Sequence, residues 1–147
     1  MVNESATDVR TVAAELRPIV MRLSRELRRE ARALGVTGGQ VTLLFLVKAS
    51  PGLGVGELAE RERISPAAMS GVVRRLERAG LVRRTPDPHD GRRHGLTLTE
   101  DGERLLRSVK SRRTAWLASR LQELDAAEVE AVERALRPLG RLLEVGR

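Results

Sequence analysis

Residues 65–102 read SPAAMSGVVRRLERAGLVRRTPDPHDGRRHGLTLTEDG, and three signals follow one another along this run. Ser65 can cap the free amides of a helix, and Pro66 at the first helical position loses nothing by lacking an N–H. On a wheel of 100° per residue, Met69, Val72, Val73 and Leu76 gather on one side. Ala67, Gly71, Arg74 and Arg78 lie opposite, flanked by Ser70 and Arg75. One face packs, while the other is small near its start and rich in arginine near its end. The helix should stop near Gly80. Residues 81–85 and 93–98 then read as short strands around a turn-rich tip, Pro86-Asp87-Pro88-His89-Asp90-Gly91. Thr99 is placed to cap a further helix, with Glu100 and Asp101 in the first turn complementing its dipole.

Upstream, the apolar stripe Val12, Leu16, Ile19, Val20, Leu23, Leu27 predicts a helix over about 8–34, with Pro18 as a kink or local start and Gly35 closing it. Thr37 should cap a second helix carrying Val41, Leu43, Leu44, Leu46 and Val47 up to the Ser50-Pro51-Gly52 turn. A third, over 55–61, turns Leu58 and Ala59 inward. Downstream, Leu105, Leu106, Val109, Trp116, Leu117 and Leu121 mark a fifth helix. After an Asp125 cap, Val129, Val132, Leu136, Leu139 and Leu143 mark a sixth. Two helices followed directly by a hairpin make a winged helix-turn-helix, so the expected fold is mainly α with a small β-hairpin.

The 147 residues suit one domain. Within 1–147, a winged module is expected over about 37–99 and dimerisation helices over about 8–34 and 100–145. Long terminal helices with one-sided apolar faces are more naturally completed by a second copy than by the small central module, so a homodimer is expected.

All but two of the 27 basic residues, Lys48 and Lys110, are arginines. A GC-rich genome would also produce arginine, so its location decides. Residues 61–94 hold nine arginines (61, 63, 74, 75, 78, 83, 84, 92, 93) against four acids (Glu62, Glu77, Asp87, Asp90). Most of the formal net charge of +7 therefore lies in this segment. That is the footprint of a nucleic-acid partner. Small residues let a helix sink into the major groove of double-stranded DNA, and Ser65, Ser70, Arg74 and Arg75 can reach bases or phosphates. At the tip, Arg92 and Arg93 can enter the adjacent minor groove, with Asp90 holding the Arg92 guanidinium.

With no cysteine, disulfides and thiol switches are excluded. No run approaches the roughly 18 apolar residues of a membrane span, and residues 1–10 lack a secretory apolar stretch, so a cytoplasmic protein is expected. No nucleophile–base pair, phosphate loop or metal-ligand spacing stands out, which argues against an enzyme and against a cofactor. His89 and His94 flank the tip without a convincing ligand set. A sequence-indifferent architectural DNA- or RNA-binding protein stays open, although residues 61–94 offer no aromatic platform for RNA bases.

Leu58-Ala59, Ser65, Leu76-Glu77, Gly80-Leu81-Val82, Asp90-Gly91-Arg92, Leu96-Thr97-Leu98-Thr99 and Gly102 together resemble the multiple-antibiotic-resistance regulator (MarR) family, and the likeness spans essentially the whole chain. It implies a dimeric regulator, by default a repressor on a pseudo-palindromic operator, with Ser65, Pro66, Ala67, Ser70, Arg74, Arg75, Asp90, Arg92 and Arg93 at the DNA. It also implies a pocket for a small aromatic or phenolic ligand between the dimerisation helices and the winged module. Met21, Arg25, Phe45 and Trp116 are the candidates to line it, with Phe45 and Trp116 as plain core or interface residues the alternative. The chain departs from the family pattern at Arg61-Glu62-Arg63-Ile64, which lacks the glycine commonly found before the recognition helix. Arg61 and Arg63 there are either phosphate contacts or solvated charges.

Overall fold

The computed structural model describes residues 7–144; the two ends of the expected 1–147 unit, including the last residue of the 100–145 segment, lie outside the described residues. The order is α1 (Val9–Arg32), α2 (Gly38–Ala49), α3 (Val55–Glu62), α4 (Pro66–Arg78), β1 (Val82–Pro86), β2 (His94–Leu98), α5 (Glu100–Leu121) and α6 (Ala126–Arg141). The expected helices are all present, and α1 runs unbroken through Pro18. Each strand begins one residue later than its alternation suggests.

Side-chain caps set most helix starts. Thr37 and Gln40 form a reciprocal capping box on α2, at 3.2 and 2.9 Å, and Asp125 and Glu128 do the same on α6, at 2.8 and 3.0 Å. Ser65 accepts from the Ala68 N–H at 3.1 Å and Thr99 from the Gly102 N–H at 3.1 Å. Chain reversals after α1 and α4 use Gly35 and Gly80 at positive φ, where a Cβ would be penalised.

β1 and β2 pair antiparallel from Val82 opposite Leu98 to Pro86 opposite His94. The turn between α2 and α3 adds a third segment beside β2. The Gly52 N–H donates to Leu96 O and the Leu96 N–H to Leu53 O, both at 2.9 Å. A Cβ on Gly95 would overlap the Gly52 backbone, so glycine is what permits this approach. Gly102 has the same role at the start of α5, where a Cβ would strike the Leu81 carbonyl.

The core is Val41, Leu44 and Val47 of α2, Leu58 of α3, Met69, Val73 and Leu76 of α4, Leu96 of β2, and Leu106 and Val109 of α5, all but sealed from solvent. α6 buries no residue, and much of α1 is equally bare. α1 is tied to α5 by polar contacts: Arg113 Nε donates to Leu27 O at 3.0 Å and Arg112 pairs with Glu30 at 3.1 Å.

Candidate nucleic-acid interface

α4 packs against α3 and β1 with Met69, Val73 and Leu76 buried, which turns its other side outward. Ser65, Pro66, Ala67, Arg74, Arg75 and Arg78 are exposed, and Ser70 is half-buried. The Ser65 hydroxyl accepts at the helix cap, leaving its proton free to donate outward. No acid stands in the first turn of α4. The N-terminal end of the helix is therefore electropositive and open.

The wing tip is held by its own backbone. Asp87 N–H donates to Arg93 O at 2.8 Å and Arg93 N–H to Asp90 O at 3.0 Å. Here the structure corrects one expectation: the Asp90 carboxylate accepts from the Arg92 backbone N–H, at 3.0 Å, and forms no ion pair with its guanidinium. Two residues apart in a tight turn, the amide is the nearer donor. Asp90 thus shapes the turn from which Arg92 projects. Arg92 and Arg93 are exposed.

A brace that the sequence reading missed joins the two parts. Arg84 of β1 donates through Nε to Glu77 of α4 at 2.6 Å, linking wing to helix. Among the described residues, Arg74, Arg75, Arg78, Arg83, Arg92 and Arg93 have no carboxylate partner; Glu77 is spent on Arg84. What remains is an exposed cationic surface without carboxylate partners among the described residues.

The four ligand candidates do not converge. Arg25 and Trp116 share a cleft of about 510 Å³ between α1 and α5. Phe45 borders another of about 490 Å³, with Leu106, Arg107 and Lys110. Met21 is exposed on α1 and lines neither. Phe45 faces the first half of α5, and Trp116 lies ten residues beyond Leu106, roughly 15 Å along the axis at ~1.5 Å per residue. A larger cleft, about 780 Å³, lies between α1, α2 and α5 and is lined by Ser24, Arg28, Arg32, Thr42 and Arg113 among others, with no acid among the described residues of its wall. Burial, and then the neighbouring Arg28 charge, lower the Arg113 pKa from the ordinary guanidinium value. Among the described residues no three histidine or acidic side chains converge as a metal site. No helix there is long and apolar enough to cross a membrane.

A short helix, a tight turn, an outward-facing helix and a hairpin wing define a winged helix-turn-helix protein. Comparison with known proteins sharpens this. Residues 34–93 match the model described as MarR family. The chain is 35% identical over 124 residues to an HTH-type transcriptional regulator of Mycobacterium tuberculosis, covering 84% of this chain and 87% of the relative. It is 34% identical over 131 residues to an HTH-type transcriptional repressor of the same species, covering 86% and 94%. Among solved structures, a putative transcriptional regulator from Pseudomonas aeruginosa superposes with a TM-score of 0.79 at 32% identity, covering 93% of this chain and 96% of that one. The chain belongs to the MarR family of helix-turn-helix transcriptional regulators.

Proposed function

We propose that this regulator is a cytoplasmic repressor that binds a pseudo-palindromic operator as a homodimer and has no catalytic turnover. Each protomer lays α4 in a major groove, with Ser65, Pro66, Ala67, Ser70, Arg74 and Arg75 at the DNA. The Asp90-Gly91-Arg92-Arg93 tip enters the neighbouring minor groove. Two-fold symmetry then sets half-sites roughly one helical turn, about 10 bp, apart. The observation that carries the reading is the cationic surface shared by α4 and the wing, which lacks carboxylate partners among the described residues.

Repression is favoured by the relatives named as repressors, in M. tuberculosis and, as MdtR, in Bacillus subtilis. The same names weigh against a sequence-indifferent architectural protein. The chain divides into a winged module over about 37–99 and dimerisation helices over about 8–34 and from 100 onward. Release is by a small aromatic or phenolic acid seated in the arginine-lined cleft of α1, α2 and α5, whose walls offer Arg28, Arg32 and Arg113 to a carboxylate.

The test is fluorescence anisotropy on the gene's own upstream DNA, titrated with random duplex competitor across a salt series. Binding that survives the competitor at one dimer per palindrome is expected, and binding abolished by random DNA would leave the architectural reading. Arg74→Ala should cost about 1–3 kcal/mol and relax specificity at one position if it reads a base. A loss equal on every sequence would make Arg74 a phosphate contact.

A further inference from the structure

Among the described residues, four take a positive φ, and three of them are glycines: Gly35 at 81°, Gly52 at 91° and Gly80 at 72°. The fourth is Arg63, at φ 53° and ψ 42°, in the turn between α3 and α4. The left-handed region crowds the Cβ of any L-residue against the backbone, and glycine relieves it. The backbone of this turn needs nothing from the side chain: Arg63 N–H donates to Glu60 O at 3.2 Å and Ile64 N–H to Ala59 O at 3.1 Å. Glycine at 63 would make the same turn.

A second cost is electrostatic. Arg63 stands two residues before Ser65, the cap of α4, so its charge lies beside the positive end of that helix dipole, and no acid in the first turn offsets it. Arg63 is also the C-cap of α3, where the negative end of that dipole offsets part of this cost, as it favours Arg61 in the last turn. The two arginines of this turn differ in occupation. Arg61 donates to Ser50 Oγ at 3.0 Å, which ties it to the turn after α2. Arg63 is exposed and has no ion pair or side-chain hydrogen bond among the described residues.

We infer that Arg63 is a DNA phosphate contact, held in a left-handed backbone for the sake of its side chain, and that Arg61 is a strut of the fold. The assignment rests on the DNA-binding reading of α4. It lies on the approach to that helix, where the chain passes the sugar-phosphate edge before the helix enters the groove. A phosphate oxygen gives the Arg63 guanidinium the anionic partner that it has nowhere among the described residues, and the contact adds affinity without sequence preference.

The test uses the full chain and its Arg63→Gly and Arg63→Lys variants on two duplexes, the gene's own upstream DNA and a random sequence, with affinity measured against salt. Arg63→Gly should weaken binding to both duplexes by the same factor, on the order of 3- to 10-fold at low salt, and lower the log–log salt slope by about 1 for each protomer engaged. Its thermal midpoint should be no lower than that of the unaltered chain, because glycine suits the backbone. Arg63→Lys should retain most of the affinity and slope. Unchanged affinity and slope in Arg63→Gly would overturn the assignment. So would a loss that accompanies a fallen midpoint and is not restored by lysine, since that pattern belongs to a structural role. An unaltered chain that bound neither duplex would overturn the DNA-binding reading itself, and this contact with it.

Discussion

The winged module and the terminal helices spend the same kind of residue in opposite ways. Between Val36 and Leu96 the apolar side chains turn inward and seal a core; only Phe45 and Ile64 among the large ones in that span remain substantially exposed. On α1 and α6 the large apolar residues are left bare, with Ile19 at 55%, Met21 at 60% and Leu136 at 62% exposure. α6 carries Val129, Val132, Leu136 and Leu139, and Leu143 in the turn after it continues the alternating spacings of three and four, the period of a helix seam. A single chain therefore contains one finished hydrophobic core and one unfinished one. The finished core gives α4 and the wing a rigid mount. The unfinished one is the surface on which a second copy would set the distance between two such mounts.

This contrast is broken most forcefully at the unfinished side. Leu136→Glu combined with Leu139→Glu should leave the winged module folded, by near-UV spectra, and abolish the dimer in light scattering. Losing two leucines that the dimer seam would bury, at about 2–5 kcal/mol each, corresponds to a dissociation constant raised at least ~1,000-fold. A dimer that survived would show that α6 is not the seam. Operator affinity should fall in parallel, because each half-site then binds alone.

Next in size is a change within the finished core. Gly102→Ala drives a methyl into the Leu81 carbonyl where α5 leaves the wing, and should cost about 1–3 kcal/mol by thermal or denaturant unfolding. Dimer assembly should be spared at temperatures where the chain remains folded. An unaltered midpoint would mean that α5 slides away from the wing at little cost, and that the module is less rigid than its packing implies.

The smallest effect concerns the brace between α4 and the wing. Glu77→Gln removes the charge of the Arg84 partner, and a half-exposed pair of this kind contributes about 0–1 kcal/mol to stability. Its influence should appear instead in DNA binding. The released Arg84 adds positive charge, while the wing loses a fixed angle to α4, so affinity for random duplex should rise relative to the operator. Equal change on both duplexes would show that the brace does not orient the wing.

Much of this was legible in local sequence. Thr37, Ser65, Thr99 and Asp125 each cap the helix expected of them, because a cap is a contact across three residues and its chemistry is written in the side chain. The apolar periods of α1, α4 and α6 and the cluster of arginine over 61–94 are likewise properties of neighbours along the chain. The strand starts drifted by one residue, since alternation over five positions leaves the ends unspecified.

What only the tertiary structure decided are relations between distant residues. Met21, Arg25, Phe45 and Trp116 do not meet in one cavity, only Arg25 and Trp116 sharing a cleft, whereas Arg28 and Arg113, far apart in the chain, face the same larger one. Asp90 turns to a backbone amide, Glu77 to Arg84, and Arg61 to Ser50, while the Arg63 side chain has no partner among the described residues. Sequence by itself determined which helices form, where they start and which surface carries charge, because capping and periodicity act within about four residues. Which arginines are left for a partner depends on what the folded chain brings within reach of each, and that only three-dimensional packing sets.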